Sequence, residues 1–188
     1  MKNKNLFSCV TKQYLTSFYC ILEDMIEGMT CAELSNSISS NFIVQMIPHH
    51  MAAIEMSQNI LKYTTDISVQ TIASGIITEQ TKSIENMRKI AKACAEITNT
   101  EQDLALYNRH TELIMSVMFS DMKNSRAGNN INCDFMWEMV PHHKGAVEMS
   151  NNALHFDICP ELVPILDTII ASQKRGIAQM CRLLKCNC

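Results

Sequence analysis

Two stretches of the sequence place methionine and histidine at spacings that suit a metal site. The first, MIPHHMAAIEM, covers residues 46–56, and the second, MVPHHKGAVEM, covers residues 139–149. If the first stretch is helical, a rotation of about 100° per residue brings Met46 and His50 to one side and Glu55 to the opposite side. Soft thioether and imidazole donors without a carboxylate match Cu(I), or its mimic Ag(I), better than a hard cation.

These two stretches belong to a longer internal repeat. Residues 14–95 align with residues 107–188 without a gap, and 24 of the 82 aligned positions are identical. We interpret the chain as a tandem duplication, with a first repeat over residues 1–98 and a second over residues 99–188. Each repeat then carries one copy of the Met and His stretch.

The composition indicates that helices position these side chains. The chain of 188 residues contains only 5 Gly and 4 Pro, too few for the frequent turns of a sheet protein, so we predict an all-α fold. Asp66 and Thr100 have side chains suited to helix N-caps, and Pro160 and Pro164 suit the first turn of a helix. Residues 125–130 are predicted to form a loop. The predicted helices cover roughly 5–29, 40–63 and 66–97 in the first repeat, and roughly 101–122, 133–156 and 161–185 in the second.

The other two helices of each repeat also carry sulfur on one face. Methionine pairs one helical turn apart occur at Met25 and Met29 and again at Met118 and Met122. In the third helix of each repeat, Gln, Ile and Met follow at i, i+4 and i+7, at Gln80, Ile84 and Met87 and again at Gln173, Ile177 and Met180. Three such helices in a bundle would bring thioethers, imidazoles and an amide into one interior. Methionine at helical spacing also fills ordinary cores, so packing is the alternative role for each methionine.

Proline precedes the paired histidines in both repeats. Pro48 and Pro141 either interrupt the hydrogen bonding of a longer helix or occupy the first turn of a helix that begins there. In both cases proline fixes the backbone next to the histidines, which suits a ligand that must be aimed.

Cysteine is abundant but follows no repeat. Nine cysteines are an odd number, so a complete set of internal disulfides is impossible, and we expect reduced thiols. Cys94, Cys133 and Cys159 lie near predicted helix ends and are interpreted as bystanders. The C-terminal cysteines form a cluster that can bind a soft cation once deprotonated. These additional candidate ligands are Cys181, Cys186 and Cys188.

The charge pattern excludes some partners. The net charge is −3 and basic residues are interspersed with acidic ones, which argues against nucleic acid or an anionic membrane as the partner. No apolar run approaches the ~18 residues of a membrane span. The apolar stretch within residues 1–22 is interrupted by Lys12 and Gln13 and lacks a small-residue cleavage site. We therefore expect it to be the first helix of a cytoplasmic protein; a periplasmic or secreted location follows if an export signal has been removed.

The motif and its downstream helix resemble the domain-of-unknown-function 305 family, whose pattern is M-[IV]-P-H-H-x-x-A-[IV]-x-M followed by Gln-x-x-x-[IV]-x-x-Met. Both repeats carry this pattern, and the resemblance covers nearly the whole chain. It implies a ferritin-like helical bundle and copper binding through Met and His, and the family includes secreted or periplasmic proteins. The ligands that the resemblance implies are Met46, His49, His50, Met56 and Met87, then Met139, His142, His143, Met149 and Met180, to which Met25, Met29, Met118 and Met122 are added.

Three functions are compatible with these observations. The first is a protein without enzymatic activity that sequesters, stores or delivers copper, with at least one site per repeat; a copper-transfer partner is left open. The second is a ferritin-like oxidoreductase with an iron or copper centre. It would need carboxylate ligands, and the repeated Glu55 and Glu148 point away from the histidines. The third is a helical interaction module in which the methionine stripe is only core.

Overall fold

Six α-helices account for most of the chain in a computed structural model, which describes residues 7–188. Within these residues there is no β-strand, so the predicted all-α fold is confirmed. No helix in the same range is both long and apolar enough to cross a lipid bilayer. The helices are α1 (Cys9–Thr30), α2 (Ile38–Leu61), α3 (Ile67–Ala95), α4 (Glu101–Lys123), α5 (Ile131–Ala153) and α6 (Val163–Asn187).

Local sequence signals set several helix ends. The carboxylate of Asp66 accepts hydrogen bonds from the backbone amides two and three residues later, and so caps α3. Thr100 caps α4 by accepting a hydrogen bond from the amide three residues later. Both predicted caps are confirmed. Pro164 lies in the first turn of α6, as predicted, whereas Pro160 precedes that helix. The predicted start of the first helix at residue 5 lies outside the described residues.

The two motif helices lie at the centre of the fold. Helix α2 packs against α1 and α3, and helix α5 packs in the same way against α4 and α6. The two halves meet where α2 contacts α5 and α3 contacts α6. Aromatic side chains of both halves, including Phe18, Phe42 and Phe135, are buried in the shared core. The two halves therefore pack directly on each other through their central helices.

Contacts recur at equivalent positions of the two halves. In the first half, Nδ2 of Asn59 donates a hydrogen bond of 3.1 Å to the backbone carbonyl of Tyr14. In the second half, Nδ2 of Asn152 donates a hydrogen bond of 3.2 Å to the carbonyl of Tyr107. In both cases the bond ties the first helix of the half to its motif helix. The packing of the two halves is thus pseudo-symmetric. We interpret this pseudo-symmetry as the result of a tandem duplication.

Four cysteines form disulfides, which corrects the expectation of reduced thiols for these residues. Cys94 at the end of α3 pairs with Cys159 in the loop before α6, and Cys133 in α5 pairs with Cys188. The partners are separated by 65 and 55 residues in the sequence, while their Cα atoms lie 5.2 and 6.0 Å apart. Helix packing alone brings them together, so spacing in the sequence gave no sign of the pairing. The free cysteines among residues 7–188 are Cys9, Cys20, Cys31, Cys181 and Cys186.

Candidate metal centre

The methionines that recur in both halves all lie in the interior. They are Met25, Met29, Met46, Met56 and Met87 in the first half and Met118, Met122, Met139, Met149 and Met180 in the second, and each is at most 2% exposed. Met51, which does not recur, is 43% exposed. Burial is needed both by a core methionine and by a thioether ligand. The burial of the methionines therefore does not separate a packing role from a ligand role, and the environment of the histidines is needed to do so.

His49 and His142 stack on each other where α2 meets α5. Their ring centroids are 3.7 Å apart and their planes are tilted by 32°. The neighbouring rings of His50 and His143 follow at a centroid distance of 5.9 Å on either side. The four imidazoles thus form a row across the interface between the halves. The sequence predicted a site within each repeat and did not predict this contact between repeats.

Reciprocal hydrogen bonds fix the orientation of the two central rings. Nε2 of His49 lies 3.2 Å from the carbonyl oxygen of His142, and Nε2 of His142 lies 3.0 Å from the carbonyl oxygen of His49. Because a carbonyl oxygen only accepts, each Nε2 must carry the proton. The neutral ring then keeps a lone pair on Nδ1, and neither Nδ1 has a hydrogen-bond partner. Histidine ligands of metals commonly donate one ring N–H to a carbonyl in this way.

Burial keeps all four imidazoles neutral. Loss of hydration lowers the pKa of His50 to about 3 and the pKa of His142 to about 4. It also holds the pKa values of His49 and His143 well below the usual range, and the neighbouring imidazoles lower them further. A neutral ring binds a metal ion without first losing a proton. The ring nitrogens are therefore ready to act as donors at neutral pH.

The two outer histidines have different neighbours. Nε2 of His50 lies 3.0 Å from the hydroxyl of Ser83 in α3. The equivalent position in α6 is Gly176, where a Cβ atom would lie 2.9 Å from Cδ2 and 3.0 Å from Nε2 of His143. His143 therefore packs directly on the backbone of α6, while His50 is held by a side chain. Nδ1 is without a hydrogen-bond partner in both rings.

Proline and glycine shape the central helices next to the histidines. Pro48 lies inside α2 and Pro141 lies inside α5, so the first of the two alternatives for these prolines is correct. In α5, Gly145 gives room to a thioether, because a Cβ atom there would overlap the sulfur of Met118. Helix α4 thereby brings this sulfur onto the backbone of α5, two residues along the chain from His143.

Two glutamines and one of the four histidines line a cleft between α3 and α6. This α3–α6 cleft has a volume of about 490 Å³, and its lining includes His50, Gln80 and Gln173. Both glutamines are buried. Neither amide atom of Gln80 has a hydrogen-bond partner, and Oε1 of Gln173 has none. The cleft therefore joins the surface to one end of the histidine row.

A buried acidic pair in α5 was not singled out from the sequence. Tyr14 of α1 donates a hydrogen bond to Glu138, and Asp134 one turn earlier accepts one from a backbone amide. Burial raises the pKa of Glu138 well above its usual range and raises the pKa of Asp134 to about 6. The sequence did contain an indication that these two positions are buried. The first half has the uncharged amides Asn41 and Gln45 at the equivalent positions.

The other candidate groups are not gathered around the histidines. Cys188 is bonded to a second cysteine and is no longer a free thiol, while Cys181 is half-buried and Cys186 is exposed. Glu55 and Glu148 are exposed, as their helical spacing predicts. Throughout the described part of the chain, no group of three or more His, Cys, Asp or Glu side chains is arranged to hold a metal ion.

The fold and this interior define an all-α protein in which paired histidines and recurrent methionines are buried between two three-helix halves. Residues 39–184 match the domain of unknown function DUF305. The chain belongs to this family, as the resemblance of its motifs indicated. No curated protein sequence matches the chain.

Two solved structures are similar to this one. A structure of CopM in its silver-bound form, obtained by soaking, has a TM-score of 0.60 and 25% sequence identity, and the match covers 79% of this chain and 96% of that chain. A DUF305 fragment from Deinococcus radiodurans has a TM-score of 0.57 and 18% identity, and the match covers 79% of this chain and 95% of that one. Both are consistent with the helical bundle described above.

Proposed function

We propose that this protein binds a soft monovalent metal ion, Cu(I) with Ag(I) as its mimic, and holds it for sequestration, storage or delivery. The observation that carries the proposal is the row of four neutral, buried imidazoles whose Nδ1 atoms have no hydrogen-bond partner. A buried polar atom without a partner costs about 1–3 kcal/mol. Coordination of an ion would remove this cost, whereas a purely structural role would leave it without explanation.

The donor set favours a soft ion. Imidazole nitrogen and thioether sulfur together match Cu(I), while hard ions require carboxylates. No group of three or more His, Cys, Asp or Glu side chains in residues 7–188 is arranged to hold an ion, so methionine sulfur is the proposed additional donor. The proposed ligands are drawn from the buried methionines of both halves together with His49, His50, His142 and His143. The silver-bound state of CopM supports the same class of ion.

The two alternatives have weaker support. An oxidoreductase with a di-iron centre would need carboxylates beside the histidines, but Glu55 and Glu148 are exposed on the opposite side of their helices. An interaction module that uses methionine only as core would not need neutral imidazoles with free lone pairs.

Anaerobic titration with Cu(I) against a competing chelator tests the proposal. We expect the wild-type protein to take Cu(I) from the chelator, and the double variant His49→Leu/His142→Leu to bind about 100-fold more weakly or worse, since loss of even an outer partner of a ligand costs about 10–100-fold. The matched control, His110→Leu/His155→Leu, changes two exposed histidines and should bind like the wild type. Absence of uptake by the folded wild-type protein would refute the proposal.

Methionine and cysteine are tested in the same titration. Met87→Leu/Met180→Leu keeps the side-chain volume and costs less than about 1.5 kcal/mol per site, so weaker Cu(I) binding would report lost sulfur rather than lost folding. The exposed Met51→Leu is its control. Cys181→Ser/Cys186→Ser should leave binding unchanged; if it abolishes binding, the C-terminal thiols are the site and the assignment to α2 and α5 is wrong.

A further inference from the structure

The α3–α6 cleft reaches the buried donors from the surface. His50 lines the cleft, and from His50 the row of imidazoles continues to His49 at 5.9 Å between ring centroids. All four histidines and the recurrent methionines are at most 2% exposed, so an ion from solvent needs a route to them. The cleft provides such a route without unfolding of a helix.

The amides of two glutamines line this route. Gln80 is 1% exposed and Gln173 is 3% exposed, and the two stand at equivalent positions of the halves. Their amide groups include atoms without any hydrogen-bond partner, which is costly in a buried position. An amide oxygen is a hard donor and therefore a weak ligand for a soft ion. Such donors can replace part of the water around an arriving ion and still release it to stronger ligands.

The stronger ligands follow on the same helix face. On α3, Gln80 is followed by Ile84 and Met87 at i+4 and i+7, and all three side chains are buried. Gln173, Ile177 and Met180 repeat this spacing on α6. The donors thus change from amide oxygen beside the cleft to thioether sulfur two turns further along the helix. Along each helix the match to a soft ion therefore increases away from the cleft lining.

The mouth of the cleft is held only weakly by charge. Arg175 of α6 and Glu79 of α3 form an ion pair of 3.8 Å whose side chains are 63% and 53% exposed. An exposed pair of this kind contributes about 0–1 kcal/mol. It can therefore open without a large cost in stability.

We infer that the α3–α6 cleft is the loading route for the soft ion, with Gln80 and Gln173 as transient donors and His50 as the first imidazole that the ion meets. This inference rests on the proposed function. The route and its positioning residues are new here, while the metal site is the one proposed above.

The route is tested by closing it. Thr168 is exposed and lines the cleft, so Thr168→Trp should fill the mouth while α6 still folds. The matched control is Ser116→Trp, an exposed position of α4 beside another groove of about 480 Å³. Cu(I) is offered as its coloured complex with a chelator, and transfer to the protein is followed by stopped-flow absorbance. We expect Thr168→Trp to slow uptake about tenfold, an increase of about 1.4 kcal/mol in the barrier.

Equilibrium measurements separate the route from the site. The number of bound ions and their affinity should be the same in Thr168→Trp, Ser116→Trp and the wild type, and release to a second chelator should slow as much as uptake. Equal uptake rates in all three proteins would overturn the loading route and leave the proposed function intact. If the wild type takes up no Cu(I), the proposed function itself fails.

The glutamines are tested by removing their amides. Gln80→Leu/Gln173→Leu keeps nearly the same volume and removes unpaired polar atoms, so the protein should remain folded. We expect slower uptake with unchanged stoichiometry. The control is Gln45→Leu, a buried glutamine of α2 outside the cleft lining, which should load at the wild-type rate. Wild-type uptake by the double variant would overturn the role of the amides.

Discussion

Acidification should destabilise the metal-free protein through its buried histidines. In the folded protein the pKa of His50 is about 3 and that of His142 is about 4, while an unfolded histidine has a pKa of ~6.5. Because the folded pKa is the lower one, the unfolded chain takes up protons first as the pH falls. The stability that these histidines contribute is therefore fully present above about pH 6.5 and is lost progressively as the pH falls toward the folded pKa values.

The magnitude follows from the distance between the pH and the unfolded pKa. A pH of 5 is about 1.5 units below the pKa of an unfolded imidazole. Protonation of the unfolded chain therefore lowers the free energy of unfolding by about 2 kcal/mol per histidine. Between pH 8 and pH 5, His50 and His142 together should lower the free energy of unfolding by about 4 kcal/mol. The other two motif histidines act in the same direction. Glu138 and Asp134 act oppositely, since their raised pKa values give stability that is present at low pH and lost as the pH rises.

Urea unfolding, followed by circular dichroism at pH 8, 7, 6 and 5, measures this dependence. His50→Leu should reduce the loss between pH 8 and pH 5 by about 2 kcal/mol, because one histidine no longer titrates on unfolding. His110→Leu, at an exposed position of α4, should keep the wild-type dependence. The reasoning is refuted if His50→Leu shows the same change in stability between pH 8 and pH 5 as the wild type.

Substitutions at three further positions, one of them with a matched glycine control, test individual contacts. Glu138→Gln introduces the amide that the first half has at the equivalent position. It should raise the free energy of unfolding at pH 8 by about 1.4 kcal/mol for each unit of pKa elevation that it removes. Urea unfolding at pH 8 and pH 5 measures this difference. Ser83→Ala leaves Nε2 of His50 without its partner and should lower the free energy of unfolding by about 1–3 kcal/mol, again by urea unfolding. Gly145→Ala should be destabilising in thermal unfolding because the added methyl group displaces the sulfur of Met118, whereas Gly75→Ala, with no atom within 4 Å of the new Cβ, should stabilise α3 by about 0.5–1 kcal/mol.

Each of these substitutions has an outcome that contradicts its basis. Equal stability of Glu138→Gln and the wild type at pH 8 would mean that the carboxyl group is not penalised by burial. For Ser83→Ala the control is the exposed Ser74→Ala, and an equal effect of both would show that the hydroxyl of Ser83 does not stabilise His50. If Gly145→Ala is as stabilising as Gly75→Ala, Met118 does not lie against α5.

The local parts of the fold were predictable from the sequence. Asp66 and Thr100 were identified as caps because a cap depends on residues within one turn of the helix start. The burial of the recurrent methionines followed from helical spacing for the same reason. The pairing of Cys94 with Cys159 was not predictable, because it depends on how distant segments pack and cysteine spacing does not encode that.

The site shows the same division. Helical spacing indicated that His49 and His142 face inward, but not that the two rings stack, because the crossing of α2 and α5 is set by the packing of the halves. The burial of Glu138 was not predicted, because glutamate is expected at the surface unless it is paired. Its buried partner, Tyr14, lies on another helix more than a hundred residues away in the sequence.

The reciprocal hydrogen bonds between His49 and His142 mean that each half completes the other. A three-helix half on its own would have no carbonyl acceptor for its central ring, and either ring nitrogen could then carry the proton. Separate half-length chains could restore the contact only by associating, which depends on protein concentration. Because one chain carries both halves, the acceptor is present at a fixed high local concentration. Even extreme dilution should leave the lone pair on Nδ1 of both rings.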